Sequence, residues 1–214
     1  MVERKIWIIG AGGFAFDIAC KFAKVPGAGN IFMGFIDSRE EERIKTKKIC
    51  EQIGLPAMFE DPKTFNFADP MNRYMFGVGD AQFKRRFAQE HQINPELFHR
   101  FDMDLNINEH AKIGLGIYWG CRIASNVSVG YASFIDANSV LGHGVSIGNY
   151  CHIAVGVIIG GEVTIGDASY IHSGAIIGNK VSIGDNCIIG VGAVVVRDLP
   201  AGSKVIAPKS ARIA

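Results

Sequence analysis

Stepping by six from Ile123 gives Val129, Ile135, Leu141, Ile147, Ile153, Ile159, Ile165, Ile171, Ile177, Ile183, Ile189 and Val195, thirteen aliphatic positions without a miss. Only 25 of the 73 residues in that span are Val, Ile or Leu, so the run is a repeat and not a by-product of an apolar composition. A unit this short cannot bury its own apolar side chain, so successive units must stack on one another. Two residues before each aliphatic position stands a small or β-branched residue, as in Val127, Ser133, Ser139, Val145, Cys151 and Val157, and glycine often follows it, as in Gly130, Gly142, Gly148, Gly160, Gly166, Gly178, Gly184 and Gly190. We expect the aliphatic side chains to point inward, the small ones to fill corners, and the glycines to turn each corner at unusual φ/ψ. Three sides make a coil of eighteen residues, visible directly in Val129-Gly130, Ile147-Gly148, Ile165-Gly166 and Ile183-Gly184. The pattern reads as a left-handed parallel β-helix from about 104 to 206. Its first coil is short, because Ile113-Gly114 precedes Val129 by sixteen residues. The ladder is expected to end at Asp198, Pro200 and Gly202, with the tail VIAPKSARIA packing back along the prism.

Residues 1–100 lack this period and are read as a separate domain, with 101–214 as the β-helix domain and tail. Lys5 to Ile9 reads as a strand, Gly10 to Gly13 as a turn, Ala15 to Val25 as a helix and Ile31 to Asp37 as a second strand. Arg39 to Lys48 reads as a solvated loop or helix face, and Pro56, Pro62 and Pro70 punctuate an irregular stretch. A third strand is expected at Met75 to Gly79 and a basic helix from Asp80 to about Gln92. This is a small α/β sheet of Rossmann type.

Lys plus Arg total 22 against 21 Asp plus Glu, so no general field favours nucleic acid or an anionic membrane as partner. No apolar run approaches the roughly 18 residues that would span a bilayer. The N-terminal IWIIGAGGFAF imitates a signal peptide, but Asp17 interrupts it and its glycines suit a strand-to-helix turn. A cytoplasmic protein is expected. Five cysteines without a CxxC pair argue against a disulfide framework or zinc knuckle, and Cys121, Cys151 and Cys187 share the small-residue phase of the repeat, which assigns them to the interior.

A small Rossmann-like domain followed by a hexapeptide β-helix resembles the PglD/NeuD-type sugar acyltransferases, and the likeness spans nearly the whole chain. The resemblance implies a homotrimer with active sites between subunits, acetyl-CoA as acyl donor without a metal, and a nucleotide-linked amino sugar as acceptor. Ile8-Ile9-Gly10-Ala11-Gly12-Gly13 looks like the family's first glycine turn, Asp37 like its acidic strand end and Val78-Gly79-Asp80 like its third-strand motif. His99 stands where the family has His-Pro, with Arg100 in place of the proline. Leu141-Gly142-His143-Gly144 matches the segment with the catalytic histidine, and His152 matches the histidine that contacts acetyl-CoA. Gly161, Ser173 and Val191 fall where coils meet the pantetheine arm, and Lys180, Lys204, Lys209 and Arg212 are candidates for the CoA phosphates.

Three departures stand out. Gly13-Phe14-Ala15 replaces Gly-His-Gly, Gly144 replaces the acidic residue after the catalytic histidine, and Asp136 takes a place often held by asparagine near the sugar. Gly12, Gly13, Phe14, Asp37, Gly79, Asp80 and Asp136 are therefore the candidate acceptor-binding residues, and His143 is the candidate general base. An imidazole near neutrality suits that role. Ser125 and Gly161 stack below and above His143, and a backbone N–H near Gly161 is the expected oxyanion donor. Asp136 is a candidate for part of the charge missing at Gly144. The lost carboxylate favours N-acylation, because a neutral amine attacks a thioester readily. His91 and His110 read as structural, and His172 as a surface or interface residue. Rival readings are O-acylation, a different small acceptor, and a non-catalytic nucleotide-sugar-binding β-helix. A γ-class carbonic anhydrase is disfavoured because two of its zinc histidines lie five residues apart, and no such pair exists here.

Overall fold

The computed structural model describes residues 5–22, 31–55, 57–98, 101–102, 112–113, 117–118 and 120–206. The chain divides into two compact units, residues 1–79 with 86–99 and residues 80–85 with 100–214.

The first unit holds a parallel sheet of β1 (Lys5–Ile9), β2 (Phe32–Ile36), β3 (Met58–Glu60) and β4 (Asn72–Phe76) in the order β3-β2-β1-β4. Helices α1 (Gly13–Phe22) and α2 (Glu40–Gln52) follow β1 and β2, and α3 (Ala81–Glu90) follows β4. In β1 only Lys5 is exposed, the continuous apolar run expected of a central parallel strand. The β1–α1 turn depends on Gly10, whose φ is +105° and whose added Cβ would lie 2.7 Å from Val78 Cγ2. A Cβ on Gly77 would lie 2.3 Å from that of Ala15, so α1 packs on bare backbone just past β4.

The third expected strand, Met75 to Gly79, is displaced: β4 ends at Phe76, and residues 77–80 form the connection to α3. The stretch taken as irregular contains the edge strand β3, paired with β2 where Gly34 leaves room for Met58. The charged run from Arg39 lies on α2, with Thr46 and Cys50 buried. His91 packs its ring between Phe67 and Phe87, at centroid distances of 4.6 and 4.3 Å, as part of an aromatic core.

The second unit is a three-sided parallel β-helix of two-residue strands. Register confirms the eighteen-residue coil: Val140 pairs with Arg122 and Ile158, Ser146 with Ser128 and Thr164, and His152 with Phe134 and Tyr170. The first coil is short as expected, because Lys112 pairs with Ser128. The ladder does not end at Gly202: Lys204–Val205 adds another strand, pairing Lys204 with Ile188 across sixteen residues. Residues 207–214, including Lys209 and Arg212, lie outside the described residues, as do His99, Arg100 and His110. Every aliphatic repeat position from Ile123 to Val195 is at most 4% exposed, and Cys121, Cys151 and Cys187 lie in the same core.

The repeat glycines serve a different purpose from the one expected. None of the eight, from Gly130 to Gly190, has a left-handed φ. A Cβ on Gly130, Gly142, Gly148, Gly160, Gly166 or Gly184 would instead lie 2.2 to 2.6 Å from an atom of the next coil, so these positions are bare because coils approach closely there. The left-handed corner residue comes two positions later. It is filled by Gly144, Gly156, Gly174 and Gly192, and also by Asn126, Asn138, Glu162, Lys180 and Asn186.

The three faces differ in chemistry. One presents the aliphatic column Val140, Ile158, Ile176 and Val194, exposed by 38, 47, 42 and 61%. The second presents Ser128, Ser146, Thr164 and Ser182, with side-chain hydrogen bonds from Ser128 to Ser146 and from Thr164 to Ser182. The third presents Phe134, His152 and Tyr170, whose neighbouring rings lie 5.1 and 4.7 Å apart. Residues 80–85 belong to this unit: Lys84 Nζ donates to Ala132 O at 3.2 Å and Cys151 O at 2.7 Å, and Arg85 Nη1 donates to Asn186 Oδ1 at 3.3 Å. Lys84 is fully buried, and loss of hydration lowers its ammonium pKa to about 7, a fall partly opposed by Cys151 and Asp80.

Candidate active site

His143 sits at the corner between the aliphatic and hydroxyl faces, two residues after the strand Val140–Leu141 ends. Inward Leu141 fixes the strand while the imidazole stays in solvent, its side chain 68% exposed. The expected stacking is present: Gly144 N–H donates to Ser125 O below, and Glu162 N–H donates to His143 O from above at 2.8 Å.

Gly161 proves to be the seat of the imidazole. A Cβ there would lie 2.6 Å from His143 Cε1, 3.0 Å from Nδ1 and 3.1 Å from Nε2, so only glycine lets the ring occupy this place. Of the N–H groups near Gly161 expected to supply the oxyanion donor, that of Gly161 donates to Asn179 Oδ1 at 2.9 Å, that of Gly160 to Ile177 O and that of Glu162 to His143 O. The sequence reading also missed the carboxylate beside the imidazole. Glu162 Oε1 lies 3.7 Å from His143 Nε2. The signal was present, because residue 162 is eighteen residues beyond the glycine where a carboxylate was sought.

The other proposed donor-site residues lie elsewhere on the prism. Ser173 and Val191 are exposed at the corner between the aromatic and aliphatic faces, one above the other, and Gly192 N–H donates to Ser173 O at 3.0 Å. His152 is 4% exposed on the aromatic face, between Phe134 and Tyr170, and His172 stacks on Tyr170 at 3.9 Å. Asp136 shares the corner of Ser173, accepts from Ala137 N–H at 2.7 Å, and helps raise the Tyr170 pKa after the larger effect of burial. Within one chain, His143 and Gly161 thus occupy one edge of the aliphatic face, and Asp136, Ser173 and Val191 the other.

In the first unit, Asp37 is the best-anchored of the proposed acceptor-site residues. Its carboxylate accepts from Ala11 N–H at 2.7 Å and from Arg39 N–H, Nε and Nη2. Burial alone would raise its pKa, but the bonds from Arg39 and Ala11 outweigh it and hold the carboxyl below the usual range. Gly12 and Gly13 open α1, where a Cβ on Gly13 would meet nothing within 4 Å, and Phe14 is half-buried on that helix. Gly79 lies in the β4–α3 connection. Asp80 caps α3, accepting from Phe83 N–H at 2.9 Å, and falls in the second unit, not with the glycine turn. An open groove of about 750 Å³ between α2 and the β2–β3 edge is lined by Phe32, Lys47, Leu55 and Met58, and by none of the residues proposed above. No group of three or more His, Cys, Asp or Glu among the described residues is placed to hold a metal. No helix among them is long and apolar enough to cross a membrane.

Residues 162–197 match the family described as bacterial transferase hexapeptide (six repeats). No curated protein matches the chain. Among solved structures, the acetyltransferase domain of PglB from Neisseria gonorrhoeae is 22% identical with a TM-score of 0.58, covering 95% of this chain and 97% of its own. A variant of perosamine N-acetyltransferase from Caulobacter crescentus, in complex with CoA and GDP-perosamine, is 21% identical with a TM-score of 0.56, covering 95 and 93%. PerB from the same organism, with the same two ligands, is 20% identical with a TM-score of 0.51, covering 95 and 94%. This chain therefore has the fold of these sugar acetyltransferases over almost its full length, and its repeat is of the bacterial transferase hexapeptide kind.

Proposed function

We propose that the chain is an acetyl-CoA-dependent N-acetyltransferase acting on a nucleotide-linked amino sugar, with His143 as general base. One observation carries the reading: an exposed imidazole is seated on a glycine at a β-helix corner, with a carboxylate 3.7 Å from its Nε2. Such an arrangement accepts a proton and stabilises the cation that results. The acceptor amine attacks the thioester carbonyl, the C–N bond forms, and His143 takes the proton released from nitrogen. The C–S bond then breaks, and that proton passes to the departing thiolate, giving an acetamide and CoA. Metal is not needed for this sequence.

The separation of candidate residues supports a homotrimer of left-handed prisms. The exposed aliphatic column lies between the corner of His143 and that of Asp136, Ser173 and Val191, and covering it with a second copy would bring opposite corners of two subunits together. On this reading Gly161, Ser173 and Val191 serve the acetyl-CoA side, with Lys180 and Lys204 available to its phosphates, and Asp136 serves the sugar, whereas His152 is buried on the aromatic face. The parallel sheet with its glycine turn acts as a Rossmann-like holder for the nucleotide through Gly12, Gly13, Phe14, Asp37 and Gly79. Use of acetyl-CoA places the activity in the cytoplasm. Acetyl-CoA is to be incubated with GDP-, UDP- and dTDP-linked amino sugars while thiol release and acceptor mass are followed. Acetamide formation on a nucleotide-linked amine is expected. Absence of transfer to every amine, or equal turnover of free amino sugars, would defeat the reading.

A further inference from the structure

We propose that Glu162 is the positioning residue for His143, supplied from the next coil in place of the carboxylate that Gly144 lacks; this rests on the transferase reading above. Gly144 and Glu162 occupy the same corner site one coil apart, with φ of +68° and +61°. A Cβ on Gly144 would lie 3.5 Å from Glu162 Cγ and 3.8 Å from its Cα, so the bare position lies directly under the glutamate stem. The 2.8 Å bond from Glu162 N–H to His143 O ties the backbone of the glutamate to that of the base. Gly161, the residue before it, holds the ring.

The 3.7 Å separation is longer than a hydrogen bond but within the reach of a charge pair. Both side chains are more than half exposed, so water screens the pair when the site is empty. A bound acceptor and acyl donor displace that water, and the carboxylate then orients the imidazole and offsets its charge as the proton arrives. A carboxylate that acts only through the imidazole should, when lost, lower kcat and leave donor binding unchanged.

The backbone equivalence of the two corners supplies the test. Wild type, His143→Ala, Glu162→Gln, Glu162→Gly and the double variant Gly144→Glu/Glu162→Gly are assayed with acetyl-CoA and the nucleotide-linked amine that wild type turns over. Glu162→Gln and Glu162→Gly should each lower kcat by about tenfold to a hundredfold with KM for acetyl-CoA within about twofold, and the double variant should recover most of the loss. A structural role would not be restored by moving the carboxylate down one coil. Wild-type kcat in Glu162→Gln beside an inactive His143→Ala overturns the role of Glu162 and leaves the base in place. A double variant that melts like wild type yet stays slow also overturns it. Full activity in His143→Ala overturns the base assignment itself.

Discussion

Gly144 lies beneath Glu162, eighteen residues apart at the same left-handed corner, and the side chain absent from one level is present at the next. This pairing changes the chemistry expected of His143, which has a carboxylate within 3.7 Å despite the glycine that follows it.

The imidazole and its seat should be separable by mutation. His143→Ala should reduce kcat by about 10²- to 10⁴-fold with little change in CoA affinity. Gly161→Ala places a methyl 2.6 Å from Cε1 and displaces the ring without touching the core, so kcat should fall by about a hundredfold while the melting temperature changes little. Steady-state kinetics beside thermal melts check both.

Assembly should depend on the aliphatic face. Ile158 is central in its column and 47% exposed, so Ile158→Glu would place a charge in any interface formed there while leaving the prism interior intact. Sedimentation equilibrium should report about three chains for wild type and one for the variant, with unchanged circular dichroism. A variant that remains trimeric would move the interface to another face.

The two kinds of glycine should respond to a methyl group for different reasons and to different extents. Gly148→Ala brings Cβ within 2.4 Å of Asp167 Oδ1 and 2.8 Å of Asp167 N, which forces coils apart and should cost about 1–3 kcal/mol. Gly174→Ala meets nothing within 4 Å and should cost only the left-handed penalty of about 1 kcal/mol. Denaturant melts of the two variants distinguish them.

Lys84 should make stability rise with pH. Its native pKa is about 7, against 10.5 unfolded, so between those values the unfolded chain holds a proton that the native chain has released. The cost of burying the lysine is therefore fully present below about pH 7 and fades as pH rises toward 10.5. Lys84→Met loses two hydrogen bonds but removes this linkage. The stability of wild type relative to Lys84→Met should increase from pH 7 to pH 10; a pH-independent difference would show that the lysine stays charged when buried.

The β-helix was legible because one side chain in six must point inward, and that rule left thirteen aliphatic positions in register. The short first coil followed from the same count. The glycines were misread because close approach and left-handed φ both favour glycine, and composition alone does not separate them; the distinction lies in Asn126, Glu162 and Lys180, which tolerate the left-handed site. Strand β3 is three residues at a sheet edge, too short to show alternation. Glu162 was missed because the carboxylate was sought one residue along the chain, whereas neighbours in a β-helix are a coil away. Lys84 was hidden in the basic helix expected from Asp80 to about Gln92, and its burial comes from contacts with Ala132 and Cys151, far along the chain.

The shortened steps at both ends of the prism have a consequence for solubility. A regular coil ends in an unpaired row of backbone N–H and C=O groups that another prism can extend. Here the spacing falls from eighteen to sixteen at Lys112–Ser128 and again at Ile188–Lys204, and Asp198 Oδ1 accepts the Ser182 N–H at 2.8 Å. The Ser182 N–H, a donor that a second prism set end to end could otherwise use, is thus already bonded within the chain.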